Sequence, residues 1–312
     1  MCSCLASALA APVTLVVPFD AGGPTDRMAR DLADAMQKPL GARIVIDNVG
    51  GAGGTLGATR VAKAAPDGLT LLLHHIGMAT APALYPNLPY RPLEDFAIVG
   101  LVAEVPMTLI GRPGLPAANF AELRRWLKAR AQKSRINLAH AGPGAASHLC
   151  GLLLQSMLKV EMHEVSYKGT APAINDLIAG HVDLLCDQTS NTAGPIAAGR
   201  VKAYAVTTRE RLKLPALANL PTLAESGLAG FDVSIWHGLY APKGTPPATL
   251  ARLSAALRAA RHDAQFVQRE EAVGASVLGD GRADGPAASA FLAAEIARWG
   301  LIIKAAGPTL AE

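Results

Sequence analysis

The chain has 312 residues, half of them hydrophobic but only 4% aromatic, with 29 Lys and Arg against 25 Asp and Glu. That length suggests two lobes around aliphatic, Ala-rich cores, and a formal charge of +4 with a pI near 8.9 suits a small anion. No uninterrupted apolar stretch reaches the ~20 residues of a membrane helix, and no basic run interleaved with aromatics points to nucleic acid. The basic residues are spaced along helices, as at Arg124, Arg125, Lys128 and Arg130, in the pattern of a solvated face.

Residues 1–12 are apolar and small, with Ala8 and Ala10 in an A-x-A arrangement. They read as a signal-peptide remnant that lacks its basic n-region, the alternative being an ordinary approach to the first strand. Cys2 and Cys4 would leave with such a signal. Cys150 and Cys186 then remain either as buried thiols or as a disulfide, because spacing alone does not fix their Cα separation. With no C-x-x-C and no nearby His pair, no metal site is expected.

From Val13 onward, strand-like and helix-like segments alternate. A β-branched run at 13–17 leads through Gly22-Gly23-Pro24 into a helix whose Met28, Leu32, Met36 and Leu40 share one face and which Gly41 ends. A strand at 44–46, a glycine turn, a short helix around Val61 and a strand at 69–73 follow. Such a pattern predicts a mostly parallel α/β sheet covered on both faces. Around 109–113 the chain leaves this unit. The second series predicts helices at 120–131, 148–158 and 171–179 and strands at 136–139, 163–165, 182–185 and 203–206. A return strand at 234–241 and helices at 247–261, 266–273 and 286–304 complete the first unit. The domain expectation is therefore lobe 1 at 13–111 and 233–312, interrupted by lobe 2 at 112–232.

Three loops could carry chemistry, since parallel α/β sheets bind ligands where strand ends meet helix starts. The first, Pro18 to Asp26, offers backbone N–H groups at a helix N-terminus, a natural anion seat. Asp26 would repel an anion and is read as ordering the loop. The second, Gly50 to Gly57, matches neither the phosphate-loop pattern nor G-x-G-x-x-G, so it is a structural turn and not a nucleotide site. The third, Ala141 to Leu149, mirrors the first. Ser147 and His148 are adjacent, but neighbours on a helix diverge by about 100°, so a hydrolytic pair is disfavoured. Ser147 is read as a helix cap or a ligand contact. Two helix N-termini, one per lobe, would then clamp one carboxylate.

The sequence resembles the Bug family, the extracytoplasmic solute receptors of tripartite tricarboxylate transporters. Carrying the resemblance are Val17-Pro18-Phe19, Ala21-Gly22-Gly23-Pro24-Thr25-Asp26, the turn from Asn48 to Gly57, Pro66-Asp67-Gly68, Gly144 to Leu149, Tyr167-Lys168-Gly169, Leu220-Pro221-Thr222 and Trp236-His237-Gly238-Leu239. It implies a type II periplasmic binding fold, two lobes joined by a hinge around a central ligand cleft, with no cofactor. It further implies a periplasmic monomer that holds a small organic anion (a dicarboxylate, amino acid or aromatic acid) and docks on the membrane subunits of the transporter. By position, Phe19, Ala21, Gly22, Gly23 and Asp26 form one jaw, and Gly142, Gly144, Ala145, Ala146, Ser147 and His148 the other. Asp187 lines the cleft near the hinge, and His75, Gly77, Met78 and Thr80 are candidates for the specificity pocket. Asp20 stands where the family carries a small or apolar residue and is expected to face solvent. Of His74 and His75, strand alternation turns one away. The competing readings are a sensor subunit that presents its ligand to a histidine kinase, a Ser147/His148 hydrolase and a glycine-loop nucleotide binder.

Overall fold

A computed structural model describes residues 11–131, 134–279 and 281–306. Of the expected signal remnant, residues 1–10 lie outside that range, as do Cys2 and Cys4.

In the first lobe, β1 (Val13–Val17) pairs in parallel with β2 (Ile44–Asn48) and β3 (Thr70–His75). Alternation along β1 sends Val13, Leu15 and Val17 to one face of the sheet and Val16 to the other. On the first face α1 (Pro24–Leu40) lays down Met28, Leu32 and Met36, beside Leu253 and Leu257 of α8 (Pro247–Arg261). Pro24 starts α1 and Gly41, left-handed at φ 68°, stops it. Next come α2 (Thr55–Ala62) and α3 (Gly77–Leu84).

Between the lobes runs β4 (Phe96–Gly111), 16 residues that the sequence reading did not resolve as one strand. Its 96–106 portion is antiparallel to the return strand β9 (Ser234–Pro242), and its 107–111 portion to β7 (Leu184–Gln188) and β8 (Lys202–Val206). Pro106, which has no N–H to give, falls where one set of partners hands over to the other. The second lobe adds α4 (Phe120–Ala131), β5 (Asn137–His140), α5 (Ala146–Leu158), β6 (His163–Ser166), α6 (Thr170–Ala179) and α7 (Thr189–Ala197). There β5 is parallel to β6 and β7, and a disulfide bolts Cys150 of α5 to Cys186 of β7. A single ten-stranded sheet thus serves both lobes, eight strands in the order β2-β1-β3-β9-β4-β7-β5-β6 and two, β8 and β10 (Ser276–Val277), also on β4.

The chain closes with α9 (Ala264–Glu271) and α10 (Gly285–Ala306). By length and composition α10 could cross a membrane. Here it buries Ala288, Leu292 and Trp299 in the core, and Glu295 accepts the indole N–H groups of Trp236 (3.2 Å) and Trp299 (3.0 Å).

Candidate functional site

The first jaw follows β1. Gly22 is left-handed (φ 84°) and its N–H donates to Asp26 Oδ2 at 2.9 Å, while the Asp26 carboxylate accepts Arg30 Nε and Nη2, both at 3.0 Å. Burial works against the Asp26 charge, but the bonds from Arg30, Gly22 and Asn48 outweigh it and hold its pKa below the usual range. Asp26 therefore orders the loop from within. Gly23 caps α1 without any side-chain bond. The first intrahelical bond runs from Arg27 N–H to Gly23 O, leaving the Thr25 and Asp26 amides ahead of the ladder.

The second jaw follows β5. Gly142 (φ 99°) and Gly144 (φ 79°) turn the chain into Ala145, which caps α5, again with no side-chain bond. Ser147 Oγ accepts the Ala141 N–H at 2.9 Å. The hydroxyl ties the preceding turn and so is not the helix cap that the sequence suggested. His148 Nδ1 accepts the Gly144 N–H at 3.1 Å and its Nε2 lies 3.3 Å from Glu164 Oε2. Both members of the hydrolytic pair are thus bonded elsewhere.

Two further helix starts converge on the same place. Gly169 caps α6 and Gln188 caps α7, neither through a side chain. Phe19, Gly23, Pro24, Thr25 and His75 of the first lobe face Ala141, Ala145, Ala146, Ser147, Thr170, Asp187 and Gln188 of the second across a narrow cleft. None of these residues is Lys or Arg. Positive potential in the cavity comes from four uncapped helix N-termini, each roughly half an elementary charge. A wider groove lies between α1, α8 and α9; its wall mixes Asp31, Asp34 and Asp263 with Lys38 and Arg269, and the Asp263 side chain already caps the one helix start that reaches it, that of α9.

Asp187 is fully buried in the cavity wall. Burial raises its pKa to about 6, against hydrogen bonds from Asn191 Nδ2 (2.6 Å), Thr170 and the Gln188 amide. Gln188 Oε1 and His237 Nδ1 are buried without partners among the described residues. Phe19 stacks on His75 with ring centroids 4.7 Å apart and meets the His74 edge at 5.6 Å. Burial pushes His74 and His237 down to about 3 and His75 well below its ordinary value, so all three are neutral.

Of the anticipated residues, Phe19, Gly23, His75, Ala145, Ala146, Ser147 and Asp187 line the cavity. Asp26, Gly142, Gly144 and His148 stand behind the jaws and shape them, whereas Ala21 and Gly22 are exposed. Of the specificity candidates His75 lines the cavity, whereas Gly77, Met78 and Thr80 belong to α3 and do not. Gly77 N–H donates to His75 Nδ1, Met78 is fully buried in the core, and Thr80 Oγ1 donates to Gly144 O at 2.9 Å, across the lobes. Asp20 does not simply face solvent: it is half-buried, its N–H donates to Lys168 O of the other lobe at 3.2 Å, and the glycines at 50 and 169 make room for it. His74 is turned from the cavity as alternation requires, yet it remains packed on Phe19. Pro24, Thr25 and Ala141 belong to the first and third loops expected to carry the ligand, whereas Thr170 and Gln188 fall outside all three. Thr170, directly after Gly169, was findable as a helix start.

The family model described as tripartite tricarboxylate transporter family receptor (TctC) matches residues 28–307. The UPF0065 protein in the TAR-I ttuE-ttuC' intergenic region of Agrobacterium vitis is 47% identical over 296 residues, 95% of this chain and 84% of that protein. The structure of the periplasmic binding protein BugD superposes with a TM-score of 0.91 at 49% identity, covering 95% of this chain and 97% of that one. MatC from Rhodopseudomonas palustris, solved with bound malate, gives 0.89 at 41% identity over 95% and 100% of the two chains.

Proposed function

Because the chain belongs to the family of tripartite tricarboxylate transporter receptors, we propose that this solute-binding protein captures a small dicarboxylate in the periplasm and delivers it to the membrane subunits of such a transporter. The observation that carries the ligand class is the cavity itself, with four uncapped helix N-termini around it and no cationic side chain in its wall. Backbone donors satisfy a carboxylate without a salt bridge, so the grip is firm yet reversible. MatC, 41% identical to this chain, was solved with bound malate, a small dicarboxylate of this class.

Capture works through closure. Tyr85 Oη donates to Pro143 O at 2.7 Å, Thr80 Oγ1 to Gly144 O and the Asp20 amide to Lys168 O, all from lobe 1 to lobe 2. Each such bond contributes on the order of 1 kcal/mol, so the three supplement the grip of a ligand that bridges the jaws. The chain acts by binding alone, since Ser147 and His148 are engaged with the backbone and with Glu164.

Thermal-shift and calorimetric titration with four- to six-carbon dicarboxylates, their monoamides and neutral sugars tests this reading. A true ligand at a hundredfold excess over Kd stabilises by about 2.7 kcal/mol. Stabilisation by a sugar and by no organic acid would overturn the ligand class. Undiminished dicarboxylate uptake in cells lacking the protein would overturn the transport role.

A further inference from the structure

Behind the second jaw, three side chains from consecutive elements meet. His140 ends β5, His148 lies in the first turn of α5 and Glu164 sits in β6. Both imidazoles are almost completely buried, with ring centroids 4.8 Å apart, and both Nε2 atoms approach one oxygen, Glu164 Oε2, at 3.8 Å from His140 and 3.3 Å from His148. The opposite ring nitrogens face the jaw. His140 Nδ1 accepts the Gly142 N–H and His148 Nδ1 accepts the Gly144 N–H, each at 3.1 Å.

A neutral imidazole carries one hydrogen, and a nitrogen that accepts an amide cannot be the one that holds it. Both hydrogens are therefore on Nε2, the ring nitrogen that lies nearest Glu164 Oε2 in each case. The other oxygen of Glu164 accepts Gln155 Nε2 at 3.2 Å, while Gln155 Oε1 accepts the Met162 N–H at 2.6 Å, so the carboxylate is fixed in rotation as well. Burial works against the Glu164 charge, but hydrogen bonds from His148 and Gln155 help keep its pKa below the ordinary value.

We propose that Glu164 is a positioning residue for ligand capture: by holding the hydrogens of His140 and His148 on Nε2, it keeps both Nδ1 atoms available to Gly142 and Gly144 and so sets the loop that presents the α5 N-terminus. This rests on the binding role proposed above. The same loop supplies Pro143 O and Gly144 O to Tyr85 and Thr80, so an error in its shape weakens the ligand seat and the closure contacts together. The three donor atoms also lie within 4.8 Å of one another, close enough for a metal ion. An ion on Nε2 would drive the hydrogens to Nδ1, where they would oppose the Gly142 and Gly144 amides, donor against donor. The hydrogen bonds already present favour a carboxylate partner over a cation.

Glu164→Gln keeps the shape but turns an amide donor toward either the histidines or Gln155. Long-range 1H–15N spectra of the unliganded protein should show His140 and His148 as Nε2–H in the wild type, and at least one of them changed in the variant. Affinity for malate, used as the probe, should fall about tenfold, the loss of one to two net hydrogen bonds, with far-UV circular dichroism unchanged. Glu164→Asp, which restores charge at a shorter reach, should recover the wild-type ring signature at one histidine. Unchanged tautomers in Glu164→Gln would overturn the proposal, as would malate binding within twofold of wild type or zinc coordination through Nε2 at one equivalent. Should the wild type bind no dicarboxylate at all, the ligand reading fails, and the spectra still decide the role of Glu164.

Discussion

Gly53 of lobe 1 and Pro143 of lobe 2 approach so closely that a Cβ built on Gly53 would lie 1.8 Å from the Pro143 carbonyl oxygen. Gly53 is also left-handed at φ 62°, so a side chain there is strained before it clashes. The glycine turn that superficially suggests a phosphate loop is the seat on which the second jaw rests. Gly53→Ala should keep lobe 1 folded but hold the cleft ajar, weakening dicarboxylate binding by tenfold or more, since closure contacts and ligand contacts are lost together. Small-angle scattering with and without ligand checks this, and a variant that contracts and binds like wild type would refute it.

Asp187 gives binding a pH dependence. Its pKa near 6 in the free protein means that a bound anion beside it favours the protonated form. Proton uptake then accompanies ligand uptake, and affinity should tighten by up to about tenfold per pH unit as pH falls from 8 towards 6. Asp187→Asn should bind with an affinity that is flat over this range. Calorimetry in buffers of different ionisation enthalpy counts the protons directly, and zero uptake at pH 7 in the wild type would contradict the expectation.

Stability should move with pH in the opposite sense. His74 and His237 at about 3, His140 at about 4 and His75 well below its ordinary value refuse protons that the unfolded chain takes below about 6.5. Their contribution is complete above that pH and lost as the medium is acidified. Asp187, raised to about 6, and Glu270, raised to about 7, act the other way, stabilising the fold as pH falls. Four histidines against two carboxyls leaves a net excess of about two protons on the unfolded state, or roughly 2 to 3 kcal/mol per pH unit between 6 and 5. The Tm should therefore drop over this interval. A constant or rising Tm would show that the acids prevail.

The Cys150–Cys186 bridge closes a sequence separation of 36 residues and fastens the first turns of α5 beside Asp187 of the cavity wall. Chain-entropy arguments give it about 3 to 4 kcal/mol. Reduction, or the double replacement by Ser, should lower the Tm by several degrees and weaken dicarboxylate binding, because α5 carries one of the four helix starts. Unaltered affinity in the reduced protein would show that packing alone fixes that helix.

Residue patterning made part of this molecule legible. The helices at 120–131 and 247–261 follow from apolar periodicity and clean boundaries. By contrast α3 and α7 are short and each contains an internal proline, which hid them. Their absence misdirected the specificity pocket to Gly77, Met78 and Thr80 and concealed Gln188 as a helix start. β4 was obscured because it is buried on both faces, and a continuously apolar strand lacks alternation. The jaws were readable because glycine before a helix has a local cause. The pairing of Cys150 with Cys186 and the meeting of His140, His148 and Glu164 depend on distances through space, which no local pattern encodes.

That β4 belongs to both halves of the molecule determines how the halves can part. Its ladder with β9 continues to Pro106, its ladder with β7 begins at Met107 and that with β8 at Thr108, so no slack linker separates them. Opening must wind or unwind a continuous ribbon about its long axis, storing torsion in proportion to the angle. Any excursion of one jaw relative to the other is therefore borne by the twist of this one shared strand.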